Sequence, residues 1–207
     1  MFGARTLLGL GVSDPAAAHR ADRPYRPVAD MNDYLDRLDA ADEPLPVSER
    51  MLAALSPRLT RLAAGRTAGV HPFIVTPEST AATRELLGPG PQLALHQAVI
   101  LDQDHRRARG TARTFLGTLL HMTHYVASLR RQGFTEADLT DGGSDRLIDG
   151  VFAWGDVAAI DNRVRAHHDA GADHVCLHVL APGAGLPRPQ WRELAALASQ
   201  GSAAEPR

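Results

Sequence analysis

The sequence predicts an α/β fold built on a parallel sheet, and three observations predict it. Five short apolar runs are each followed by a helical pattern, the alternation that buries a parallel sheet. The first run, Thr6 to Val12, is apolar without alternation, as a strand covered on both faces requires. Two of the helices open with the same signature, a hydroxyl residue and then proline, at Ser56-Pro57 and Thr76-Pro77. The commonest closed form of this architecture needs eight strands, so a chain with about five falls about three short.

Each element has its own signal. The run Thr6 to Val12 stops at Ser13-Asp14-Pro15, and Ala16 to Pro27, with two prolines and several charges, reads as an irregular loop. From Val28 the apolar residues Met31, Tyr34, Leu35 and Leu38 recur at helical spacing until Glu43-Pro44-Leu45-Pro46. Met51 to Leu55 is the second strand, and the helix after Ser56-Pro57 buries Leu59, Leu62 and Ala63, with Gly69 closing it. His71 to Val75 is the third strand, and Thr76-Pro77 opens a helix through Leu87.

Leu93 to Leu101 is the fourth strand, after which Asp102 or Asp104 caps one long helical stretch carrying Phe115, Leu119, Met122, Val126 and Leu129 on a single face, ended by Gly133. A helical turn at Thr135 to Leu139, a break at Gly142-Gly143-Ser144 and a helix around Leu147 to Phe152 precede Asp156, which caps a helix running to Gly171. Val175 to Leu180 is the fifth strand, and the last helix, Leu186 to Ser199, docks through Trp191, Leu194 and Leu197. The reading is one domain over residues 1–200 and a loose tail over 201–207.

Composition narrows the function. In 207 residues, 44% hydrophobic and 22% charged, there is ample material for a core. A net charge of -2 gives no field for a nucleic-acid backbone, and every basic residue is Arg, which fits a GC-rich coding bias. Cys176 is the single cysteine, so no intrachain disulfide forms. No apolar run approaches a membrane span, Met1 to Arg5 lacks a signal-peptide core, and a cytoplasmic protein is the simplest expectation.

In parallel α/β sheets ligands bind where strands end, so the loops after the first three strands carry the candidate residues. Glycine lets a ligand approach the backbone, and a capped helix start aims free N–H groups at an anion such as phosphate. Gly9-Leu10-Gly11-Val12-Ser13, Leu55-Ser56-Pro57-Arg58 and Val75-Thr76-Pro77 are those loops, although Ser56 and Thr76 are explained more simply as helix caps. His121 and His124 stand on neighbouring turns of one predicted helix with no third ligand fixed nearby, so no metal site is assigned. His167 and His168 fall near a helix C-terminus, where a protonated imidazole suits the dipole. The familiar nucleophile-elbow, Walker, CxxC and HExxH motifs do not occur, and Asp14 stands where a dinucleotide fingerprint needs its third glycine.

Leu8-Gly9-Leu10-Gly11-Val12-Ser13, Leu52 to Arg58, Gly69 to Glu78, Gly133 to Leu147, Trp154-Gly155-Asp156 and Ala170 to Val175 together resemble the luciferase-like monooxygenase superfamily, and within it the branch of oxidoreductases that use coenzyme F420. The resemblance implies a partial TIM (β/α)8 barrel, with the strands here standing for family strands four to eight, and leaves open whether the true start lies upstream of Met1, the barrel is completed by another chain, or the gene is degenerate. It implies hydride exchange between coenzyme F420, or alternatively FMN, and a small organic substrate. It places the cofactor's phosphate end at Gly11, Ser13, Leu55, Ser56, Arg58 and Thr76, leaves the catalytic residues unassigned, and puts Ser56 where many relatives have Gly. Open sheet edges imply completion by self-association as a homo-oligomer or by a complementing N-terminal half, and the alternative function is a non-catalytic half-barrel interaction subunit.

Overall fold

The computed structural model describes residues 6–12, 15, 19, 22, 24–183 and 185–200. In chain order they form β1 (Leu8–Leu10), α1 (Pro27–Asp39), β2 (Arg50–Leu52), α2 (Pro57–Arg66), β3 (Gly69–Val70), α3 (Pro77–Leu87), β4 (Gln92–Ile100), α4 (His105–Leu119), α5 (Thr123–Arg131), α6 (Asp145–Val151), β5 (Ala153–Trp154), α7 (Val157–Asp169), β6 (His174–Val179) and α8 (Arg188–Gln200). Ser13, half of the loop from Ala16 to Pro27 and the tail 201–207 lie outside the described residues.

All the strand pairings are parallel. β1, β2, β3 and β4 lie side by side, and β4 pairs in addition with β5 through Val99 and Ile100 and with β6 from Ala94 to Val99. The expected parallel α/β sheet with flanking helices is therefore present, as a partial (β/α)8 barrel in which β1 and β6 each have one strand neighbour among the described residues. The sheet has six strands, because Ala153-Trp154 forms a two-residue strand too short to leave a periodic signal.

The core follows the layers. Leu10, Leu52, Val70 and Leu93 bury one end of the sheet under Met31 and Leu35 of α1 and Leu59 and Ala63 of α2. Ala98 and Ile100 pack under α4, α5 and α6 through Ala112, Leu116, Leu129, Leu147 and Ile148, while Val99 and Val179 meet Ile160 of α7 and Leu194 of α8. No helix among the described residues is long and apolar enough to cross a membrane.

Three expectations are corrected. The third strand is Gly69–Val70 instead of His71 to Val75, because Pro72 has no N–H to give a ladder and only an isolated bridge, Phe73 to His96, continues it. Gly69 is where strands touch most closely: a Cβ there would lie 1.9 Å from the Gln92 carbonyl oxygen. The long helix after Asp104 breaks at Leu120 to Met122 into α4 and α5, which lets Leu116, Leu119 and Leu129 reach one core cluster from two directions. His121 thus stands outside the helix that carries His124. Third, His167 is fully buried, and burial pushes its pKa down to about 4, so it is neutral instead of protonated at the helix end.

Candidate functional site

The ladder runs past the strand ends and fixes the loops that follow. Ala53 N–H donates to Leu10 O at 2.7 Å and His71 N–H to Leu52 O at 2.9 Å, so the segments after β1, β2 and β3 leave the sheet side by side. Ser56 caps α2, its Oγ accepting the Leu59 N–H at 3.3 Å, and Thr76 caps α3, its Oγ1 accepting the Ser79 N–H at 3.2 Å. Pro57 has no N–H and Thr60 N–H bonds Ser56 O, so the Arg58 amide is the unclaimed donor of the first turn of α2 among the described residues.

Between these caps the chain holds Ile74 at a φ of 56°, a region β-branched residues avoid. Gln132, at the end of α5, clamps that turn. Its Nε2 donates to Ile74 O at 3.1 Å and its Oε1 accepts the Thr76 N–H at 3.0 Å. Strain of this kind costs roughly 1–3 kcal/mol and gathers at functional sites.

Two cavities open here and share Leu55, Ser56 and Arg131 as a common wall. The first, about 360 Å³, lies over the strand ends and is lined by Val12, Ala53, His71 and Phe73 from the sheet and by Thr123, His124 and Tyr125 from α5. The second, about 400 Å³, lies between the starts of α2 and α3 and is lined by Thr60, Thr76, Glu78, Ser79 and Gln132 among others. Both volumes fall in the range of small-molecule sites.

The electrostatics differ between the chambers. Arg131 is the one Arg lining either chamber among the described residues, and it donates from Nη2 to Leu55 O at 2.9 Å. Among the described residues no carboxylate pairs with it, whereas its neighbour Arg130 is paired to Glu136, and partial burial lowers the Arg131 pKa. Glu78 is the one carboxylate in the lining. Its own backbone N–H and the Thr76 hydroxyl hold its pKa below the usual carboxylate range, so it is ionised at neutral pH.

Behind the first chamber runs a row of rings. His96 stacks on Phe73 at 4.2 Å and on His71 at 5.7 Å between centroids, and His178 tilts against His96 at 5.0 Å. Phe115 and Tyr125 meet Phe73 edge-on. Burial, followed by the nearby His178 and His71, drives the His96 pKa down to about 4, and burial lowers that of His178, so these two imidazoles are uncharged at neutral pH. The His178 Nδ1 is buried without a hydrogen-bond partner. Among the described residues, no group of three or more His, Cys, Asp or Glu could hold a metal ion.

The expected site residues divide. Leu55 and Ser56 line both chambers and Thr76 lines the second. Arg58 and Gly11 are exposed and line neither, and Gly11 has room for a side chain, its nearest neighbour to an added Cβ being Ala53 at 3.7 Å. Ser13 lies outside the described residues. Sequence reading did not assign Arg131, Gln132, Glu78 or Phe73; Arg131 and Gln132 reach the site through contacts far apart in the chain, Arg131 to Leu55 spanning 76 positions, while Phe73 and Glu78 flank the Thr76 cap.

No family model matches the chain, and no curated protein matches it in sequence. Solved structures do match. An F420-dependent secondary alcohol dehydrogenase in complex with an F420-acetone adduct superposes with a TM-score of 0.61 at 16% identity, over 88% of this chain and 66% of that one. A coenzyme F420 dependent tetrahydromethanopterin reductase from Methanopyrus kandleri gives 0.60 at 12% identity, over 96% and 73%. Apo-MsnO8 gives 0.57 at 19% identity, over 100% and 71%. The chain therefore shares the fold of these structures and spans just under two thirds of the first of them.

Proposed function

We propose that this chain is an oxidoreductase polypeptide in which coenzyme F420 exchanges hydride with a small organic substrate. The observation that carries the reading is the pair of adjoining chambers at the strand ends, one walled by the rings of Phe73 and Tyr125 and one polar, with Arg131 in the wall between them. Two structural neighbours are F420-dependent by name, which supports the choice of carrier.

The donor set fits such a group. His71, Phe73 and Tyr125 offer ring faces to a planar group, while Arg131 offers hydrogen bonds to an anion beside Leu55 and Ser56. A bound deazaflavin supplies the hydride chemistry, and the protein orients it, excludes water and anchors its phosphate. His96 and His178, uncharged behind the ring chamber, bring no positive charge to compete with Arg131 for the anionic end.

A second reading rests on the sheet edges. β1 and β6 each have one strand neighbour among the described residues, and Leu7 and Leu8 are 49% and 38% exposed. Unpaired parallel edges are templates for another strand, so we also propose that a further copy or a complementing segment completes the barrel. Fluorescence titration with coenzyme F420 tests the first reading. Saturable quenching that Arg131→Met weakens by about tenfold is expected, and a folded sample with no saturable change would overturn it.

A further inference from the structure

FMN and coenzyme F420 carry similar planar rings but differ at phosphorus. FMN ends in a phosphomonoester, whose second ionisation near pH 6 makes it close to a dianion at neutral pH. Coenzyme F420 holds its phosphate as an internal diester, which carries one negative charge. The chamber between α2 and α3 is built to tell these apart. Among the described residues its lining has one guanidinium, Arg131, and one carboxylate, Glu78, on the same space of about 400 Å³.

Resting on the reading that the chambers hold a phosphorylated redox carrier, we propose that this chamber accepts a phosphodiester monoanion and rejects a phosphomonoester dianion, with Arg131 attracting the phosphate and Glu78 repelling its second charge. Glu78 stands in the first turn of α3 and in the wall of this chamber, and its carboxyl is held below the usual carboxylate range by its own backbone N–H and the Thr76 hydroxyl, so it presents a negative charge there. Arg163 acts on Glu78 electrostatically, but it does not line the cavity, and its guanidinium donates to the carbonyls of Asp149 and Gly150. His167, also near Glu78, is buried and neutral. The cavity wall thus balances one positive charge against one negative, which suits a ligand bringing a single charge. A repelling group of this kind gives selectivity that attraction alone cannot.

The test compares FMN with its methyl phosphodiester, which share a ring and differ by one ester, at pH 7.5. Flavin fluorescence, or displacement of bound coenzyme F420, gives the ratio of affinities. The diester is expected to bind about tenfold more tightly to the unaltered protein, one charge–charge interaction across a partly solvated cavity. Glu78→Gln narrows that ratio to within about twofold, chiefly through tighter FMN binding, with circular dichroism confirming the fold. Lowering the pH to 5 also narrows the ratio in the unaltered protein, since FMN gains a proton while Glu78 stays ionised. Equal binding of the two esters at pH 7.5, a ratio unmoved by Glu78→Gln, or bound coenzyme F420 displaced by neither ester would overturn the inference alone. Binding of neither ester nor coenzyme F420 would overturn it together with the reading beneath it.

Discussion

Replacing His167 by Gln removes a proton-linked source of stability whose size follows from the structure. Gln97 Nε2 donates to Ala98 O at 2.9 Å and to Val151 O at 3.0 Å, so its Oε1 is the acceptor for His167 Nε2–H at 2.8 Å. The His167 Nδ1 is then the bare nitrogen, and it faces the Thr80 hydroxyl at 2.9 Å. This fully buried network has no place for a second proton, and burial, with Arg163 and His168 nearby, pushes the pKa down from 6.5 to about 4. The unfolded chain binds that proton more tightly than the folded one, so stability is full above pH 6.5 and is lost as the pH falls toward 4. Between pH 7.5 and 5 the loss from this one residue is about 2 kcal/mol. Urea denaturation of the unaltered protein and His167→Gln at both pH values measures it. The variant is expected to lose about 2 kcal/mol less than the unaltered protein over that interval. Parallel profiles would refute the reasoning.

Other outcomes follow from the same contacts. Gly69→Ala forces a methyl group onto the Gln92 backbone, so unfolding free energy should fall by more than about 3 kcal/mol, and a fall under 1 would show that β3 and β4 can part freely. Ser56→Ala and Thr76→Ala each remove one cap bond and should cost about 1 kcal/mol in thermal or urea unfolding. Gln132→Ala frees the Ile74 turn from its clamp, and hydrogen exchange at Thr76 N–H should accelerate by at least tenfold while that of β4 is unchanged.

The fold was legible where the signal is local. Apolar runs announced β1, β2, β4 and β6, and short polar side chains before helices announced the caps at Ser56, Thr76 and Asp156. β5 was missed because two residues carry no period, and β3 was placed late because His71 to Val75 reads as a strand until Pro72 and the positive φ of Ile74 are weighed. The break between α4 and α5 has no proline or capping side chain to mark it. At the site, Leu55, Ser56 and Thr76 were legible since each follows a strand and opens a helix. Arg131 and Gln132 were not, because they look like any residues at a helix end until the fold lays α5 across the loops after β2 and β3. Glu78 looked like an ordinary acidic first turn, and only the cavity shows that it faces a ligand-sized space.

A crystal structure of the protein with coenzyme F420 tests the account's central claim most directly. The ring is expected over Phe73 and Tyr125 and the phosphorus on the far side of Leu55 and Ser56, within hydrogen-bond reach of Arg131. A carrier bound anywhere else on the sheet, or a phosphate turned away from Arg131, would contradict it.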